Sequence, residues 1–124
     1  MNRVLITGIT GMVGSHLADY LLENTDCEIW GMLRWRSPLD NIAHLLDRVN
    51  NKDRMNLVYG DLNDQISLLK VIDESKPDYV FHLAAQSYPK TSFESPLDTY
   101  NTNVIGTARL LEALRQLEQD PWIH

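Results

Sequence analysis

The stretch "VLITGITGMVGSHL", residues 4–17, decides the fold. An apolar run typical of a buried strand breaks at Gly8, continues through Gly11 and Gly14 at intervals of three, and then resumes at helical spacing. In a strand–turn–helix unit, glycines at these positions permit a positive φ in the turn, close approach of a ligand to bare backbone, and tight packing of helix on strand. The N–H groups that open the helix, with the positive end of its dipole, form a site for an anion such as a pyrophosphate. No Lys-Ser or Lys-Thr pair follows the glycines, which excludes a P-loop.

Working outward, three further strands are predicted at Glu28 to Leu33, Asn56 to Tyr59 and Tyr79 to Ala84, after a first at Arg3 to Thr7. Their apolar residues fall on both parities, as in a sheet covered on both faces. Helical stripes lie between and after them: Val13, Leu17, Tyr20 and Leu21; Ile42, Leu45, Leu46 and Val49; Leu68, Leu69 and Ile72; and Tyr100, Val104, Thr107, Leu111, Leu114 and Leu117. Ser37-Pro38, Asn63-Asp64 and Ser95-Pro96 mark the later helix starts. Strand then helix, four times, implies right-handed crossovers and a parallel sheet of order 3-2-1-4, with its topological switch point between strands one and four. "DPWIH" at residues 120–124 reads as the beginning of a fifth strand, so the chain is expected to be the front part of a longer protein.

The 124 residues, 44% of them hydrophobic, suffice for one domain, and the predicted unit is residues 1–124. A net charge of −6 argues against a nucleic-acid surface. No apolar run approaches the length of a membrane span, and the start enters a strand pattern directly, so a cytoplasmic protein is expected. The lone cysteine, Cys27, reads as a structural thiol and leaves no multi-cysteine metal site.

The end of the second strand reads "GMLRWRSPLDN". A carboxylate there would favour NAD; instead Arg34 and Arg36 stand where a 2′-phosphate would be met, with Ser37 as a further donor, which points to NADP. Asp61 and Leu62 of "YGDL" are placed to accept from and pack on an adenine, and the small Ala84 and Ala85 of "FHLAAQS" leave room for the nicotinamide half. His82, inside the fourth strand, reads as a core histidine.

Together, the G-x-x-G-x-x-G spacing, "GDL", "HLAAQS" and "SFESP" resemble the extended short-chain dehydrogenase/reductase family, whose fold is a doubly wound, three-layer αβα parallel sheet of the Rossmann type. Within it, "RWRSPLDNIAHLL" and "LAAQSYPKTSFESP" are similar to the GDP-mannose 4,6-dehydratases and their relatives acting on GDP-linked heptoses. The resemblance implies an enzyme that makes a 4-keto-6-deoxy sugar from a nucleotide sugar: C4 is oxidised, the C5 proton removed, the C6 hydroxyl expelled as water, and the hydride returned to C6 by NADP. It further implies that Gly8, Ile9, Thr10, Gly11, Met12, Val13 and Gly14 bind the pyrophosphate. Arg34 would bind the 2′-phosphate, with Arg36 beside it, while Asp61 and Leu62 hold the adenine. Leu83, Ala84, Ala85, Gln86 and Ser87 would line the nicotinamide side, with Ser87, Tyr88, Lys90 and Glu94 toward the sugar, and the full-length protein would be a homo-oligomer. "GMVG" departs from the "GQDG" of many such dehydratases, and Leu97-Asp98 from a Glu-Tyr pair.

The family's catalytic set includes Tyr-x-x-x-Lys, yet the only lysine after Tyr79 is Lys90, with no tyrosine four residues before it. These residues are therefore expected to carry the cofactor half and to be inactive alone. The alternatives are a GDP-4-keto-6-deoxysugar reductase or nucleotide-sugar epimerase on the same scaffold, or a noncatalytic NADP-binding or sensing module.

Overall fold

The computed structural model describes residues 2–124. Five parallel strands form one sheet in the order β3-β2-β1-β4-β5: β1 Arg3–Thr7, β2 Glu28–Leu33, β3 Met55–Tyr59, β4 Tyr79–His82 and β5 Trp122–Ile123. The first two bounds agree with the sequence reading. β3 begins one residue earlier than predicted, and β4 stops two residues short of Ala84, because the chain beyond His82 turns its amides onto Thr7 rather than onto a neighbouring strand. The fifth strand is present, paired with β4 at Tyr79 and Val80.

Alternate residues of β1 face opposite layers. Val4 and Ile6 join Ile29, Leu33, Ala18, Leu22, Ile42 and Leu45 in one core, beneath α1 (Met12–Asn24) and a 3₁₀ turn (Asp40–Leu45) that runs into the short α2 (Leu46–Asn50). Leu5 joins Met32, Val58 and Val80 in the other, against Leu68, Val71 and Ile72 of α3 (Gln65–Ser75) and Leu110, Ala113 and Leu114 of α6 (Gly106–Gln116). A sheet wound on both faces follows from right-handed crossovers that move outward from β1 in both directions. Between β4 and α6 come α4 (Pro89–Glu94), α5 (Pro96–Tyr100) and one π-helical turn at Asn101–Ile105.

Two stripes are placed only in part: in the first, Leu17 and Leu21 pack on the core as predicted, but their companions do not. In α1 the buried face is Gly14, Ser15, Ala18 and Leu22, while Val13 and Tyr20 are exposed. Small residues face the sheet here because the helix lies close to the glycine turn, so an apolarity pattern alone selects the wrong neighbours. Of the last stripe, Leu114 is buried and Leu117 packs against the core as predicted, but Tyr100, Val104 and Leu111 are exposed, and the π turn shifts the register so that Leu110 and Ala113 join Leu114.

Of the proposed helix starts, Asp64 caps α3 by accepting from the N–H groups of Ile66 and Ser67 at 3.0 and 3.2 Å. Ser95 stands before α5 without a side-chain cap, and the turn after Ser37-Pro38 starts only past Leu39. Cys27 is buried beside the Thr25 hydroxyl, as a structural thiol should be.

Candidate functional site: a cleft at the switch point of the sheet

Gly8 ends β1 with φ +73°, a conformation that side chains disfavour. It lies so close to the segment after β4 that a Cβ would stand 3.0 Å from the carbonyl carbon of Leu83 and the amide nitrogen of Ala84. Gly14 packs the first turn of α1 on the same glycine: its Cβ would come within 2.4 Å of the Gly8 carbonyl oxygen. Gly11 is the N-cap, and no side chain caps α1. No acidic residue lies in its first turn, so the N–H groups of Met12, Val13 and Gly14 have neither an intrahelical acceptor nor a carboxylate neighbour in sequence.

Above this turn, between the carboxyl ends of β1 and β4 where the strand order reverses, lies a cleft of about 470 Å³. One wall is Gly8, Thr10 and Gly11; the segment Leu83 to Tyr88 forms the opposite wall; Arg34, Ser37, Asp61 and Leu62 line the side toward β2 and β3. Leu62 is itself buried, and the Asp61 carboxylate accepts the Asn63 N–H at 2.9 Å. The backbone carbonyl of Leu62 is held by the Arg109 guanidinium at 3.0 Å, which ties this side to α6.

A second cleft of about 460 Å³ opens on the outer side of Arg34 and Asp61. Trp35, Arg36 and Tyr59 line it, the two aromatic rings meeting edge to face at 5.1 Å. Here the Ser37 N–H donates to the Arg34 carbonyl at 3.1 Å across a turn in which Arg36 takes φ +70°. A non-glycine residue in that region is strained. Among the described residues, Arg3, Arg48 and Arg115 pair with carboxylates and Arg54 and Arg109 with carbonyls, whereas the Arg34 and Arg36 side chains have no hydrogen-bond or ion-pair partner.

Most of the residues read from sequence therefore converge on one site, and several do not. Ile9 is fully buried; its side chain packs over Gly31, where a Cβ would meet its Cγ1 at 2.6 Å, so it serves the core. Met12 and Val13 are exposed and do not line the cleft, leaving only their backbone N–H groups toward it. Arg36 lines the outer cleft alone. Lys90 and Glu94 are not in either cleft: they lie one helical turn apart on exposed α4 and face each other at 4.0 Å.

Sequence reasoning missed the polar network beneath the far wall. Asn103 accepts the Gln86 N–H at 2.8 Å and donates to the Gln86 carbonyl at 2.9 Å, and the Gln86 side chain donates to Thr99 and accepts from the Tyr88 N–H. Asp98 and Thr102 also reach the cleft. The signal was an asparagine and a glycine, Asn103 and Gly106, inside an otherwise helical stripe, residue types that weaken a helix unless given a separate task.

His82 sits at the base of this wall. Its Nδ1 is 2.8 Å from the Thr7 hydroxyl and its Nε2 is 3.0 Å from the Thr107 hydroxyl. It is half-buried, and desolvation lowers its pKa from the ordinary 6.5.

Sheet order, glycine turn and a cleft at the switch point define the class: an α/β domain of the Rossmann type. A family model described as GDP-mannose 4,6 dehydratase matches residues 5–123, and the chain belongs to that family. It is 46% identical over 123 residues to a GDP-mannose 4,6-dehydratase of Vibrio cholerae, covering 94% of this chain and 32% of that protein. It is 42% identical over 118 residues to the human GDP-mannose 4,6 dehydratase, covering 92% and 32%. Among solved structures it resembles the UDP-glucose 4-epimerase of Thermus thermophilus in complex with NAD, with a TM-score of 0.77 at 29% identity over 95% of this chain and 35% of that one. It also resembles Pal from Bacillus thuringiensis, with a TM-score of 0.82 at 26% identity, covering 97% and 37%. The chain thus spans about a third of the length of the curated relatives it matches.

Proposed function

We propose that this chain is the NADP-binding portion of a nucleotide-sugar 4,6-dehydratase acting on GDP-mannose or a related GDP-sugar. The observation that carries the cofactor choice is the pair of unpartnered arginines at the end of β2, in a protein of net charge −6. Five other arginines find acceptors, so an anion from outside the chain is the natural partner of Arg34 and Arg36. The dehydratase reading rests on the higher identity to those enzymes than to the epimerases of the same fold, 46% against 30%.

The residues present fit the dinucleotide. The bare backbone of Gly8 and Gly11 with the uncapped start of α1 would take the pyrophosphate, and Arg34 with Arg36 and Ser37 the 2′-phosphate. Asp61 would accept from the adenine amino group over Leu62, and Ala84 to Ser87 would border the nicotinamide half. When bound, NADP supplies a hydride acceptor and donor for the sugar. The chain's own contribution is to hold the dinucleotide against the far wall and, through Ser87 and Tyr88 at the rim, to border the sugar. With no Tyr-x-x-x-Lys among the 124 residues, they bind cofactor without turning over substrate. The exposed apolar face of Tyr100, Val104 and Leu111 supports pairing of two copies in the whole protein.

Calorimetric titration with NADP and NAD tests the reading. A charge-assisted contact to phosphate contributes roughly 1.5–3 kcal/mol, so NADP is expected to bind at least about tenfold tighter than NAD, and Arg34→Ala to remove that margin. NAD binding as tightly as NADP to the unsubstituted protein would refute the 2′-phosphate assignment.

A further inference from the structure

The hydrogen bonds around His82 fix its tautomer by donor counting. The Thr107 hydroxyl donates to the Asn103 carbonyl at 2.7 Å, so toward His82 it acts as an acceptor and Nε2 carries the proton. Nδ1 is then the unprotonated nitrogen, and it accepts the Thr7 hydroxyl proton. That leaves the two lone pairs of the Thr7 oxygen for the N–H groups of Leu83 and Ala84, which donate to it at 2.9 and 3.0 Å. Every group in the chain from α6 through β4 and β1 to the far wall has one role available to it.

Those two amides belong to the same residues that press on Gly8, with atoms 3.0 Å from where its Cβ would be. A shift of the segment in one direction therefore clashes with the glycine turn, and a shift in the other widens the cleft between them. The geometry points to His82, through its unprotonated Nδ1, as the positioning residue that orients the Thr7 hydroxyl and so sets the separation of the two cleft walls for the dinucleotide. Its effect on affinity rests on the cofactor reading above; its effect on the wall does not. His82 touches neither cleft and acts only through Thr7.

Two substitutions separate the ring nitrogens. His82→Asn places an amide oxygen near the position of Nδ1 and keeps an acceptor for Thr7. His82→Gln places its amide near Nε2, reaching Thr107 and leaving Thr7 without an acceptor. Each loses one ring contact, so a purely structural role lowers thermal stability and cofactor affinity alike in both. The inference instead expects NADP affinity within about threefold of the unsubstituted protein for His82→Asn, and weakened by about tenfold or more for His82→Gln. Amide hydrogen exchange, read without ligand, should quicken at Leu83 and Ala84 in His82→Gln and not in His82→Asn. Thr7→Ser against Thr7→Val repeats the contrast at the hydroxyl should either histidine variant fail to fold. Equal losses in the Asn and Gln variants, or unchanged exchange at Leu83 and Ala84 in Gln, would overturn the inference. Should the unsubstituted protein bind neither NADP nor NAD, the cofactor reading falls, while the exchange contrast still decides the role of His82 in the wall.

Discussion

Gly14→Ala puts the packing of the glycine turn under direct test. The added Cβ would stand 2.4 Å from the Gly8 carbonyl oxygen and 3.1 Å from both the Gly8 carbonyl carbon and the Ile9 Cα, all backbone atoms. Reaching even 3.0 Å from that oxygen requires a displacement of about 0.6 Å, and no rotamer change can supply it. The carbonyl cannot swing away freely, because it also accepts the Gly11 N–H at 3.0 Å. Overpacking costs about 1–3 kcal/mol, and with every contact atom in the backbone the upper part of that range, about 2–3 kcal/mol, applies, against the roughly 1 kcal/mol that alanine gains over glycine in a helix. The clash wins where the backbone is fixed, so a net loss of about 1–2 kcal/mol is expected, roughly a 5–30-fold fall in the folding equilibrium constant. Gly11→Ala is the control, since its Cβ would stand 3.3 Å from the same oxygen, and it should lose less. Urea unfolding followed by far-ultraviolet circular dichroism gives both values. A Gly14→Ala protein as stable as the parent, or more so, would refute the packing argument, because helix propensity would then have outweighed the contact.

Arg36→Gly should raise the urea midpoint while weakening NADP: relief of the positive φ stabilises by roughly 1–2 kcal/mol and glycine's extra unfolded-state freedom returns about half of that, and a lower midpoint would contradict it. Asp64→Ala removes both acceptor contacts at the start of α3 and should cost about 1 kcal/mol in the same assay, with cofactor affinity unchanged. His82 folds as a neutral ring with a lowered pKa, so below its ordinary 6.5 the unfolded chain binds a proton that the folded one resists; stability should fall as pH drops through that value, and His82→Asn should fall less. Parallel pH profiles for the two proteins would sink that assignment.

Much of this site was legible because its chemistry is local in sequence. Gly8, Gly11 and Gly14 carry the turn in their spacing, Arg34 and Asp61 follow the ends of their strands directly, and the alternation of strand and helix fixes which ends lie together. What could not be read depends on register. The sequence pattern counts Val13 and Tyr20 as core, but the close approach of α1 to Gly8 turns its small residues inward. The pattern counts Leu111 as core, but the π turn at Asn101–Ile105 rotates the following helix. Lys90 and Glu94 follow the cleft in sequence, but α4 carries them out to pair with each other. The wall network of Thr7, His82 and Asn103 joins residues from β1, β4 and the π turn, which no local motif announces.

The pairing of polar side chains supports the proposed cofactor reading without reference to the glycine motif. No buried side-chain nitrogen or oxygen among the described residues lacks a hydrogen-bond partner. Against that background, Arg34 and Arg36, at the end of β2, are the two arginines among the described residues whose side chains find no acceptor. On the proposed cofactor reading, a 2′-phosphate would meet Arg34 and Arg36 while the pyrophosphate of the same dinucleotide meets the start of α1. The turn that gives Arg36 its positive φ also places Arg34, Trp35 and Arg36 together on the lining of the outer cleft, with Trp35 edge to face on Tyr59. On that reading, Arg36→Gly should separate the cost of the turn from the contribution of the charge.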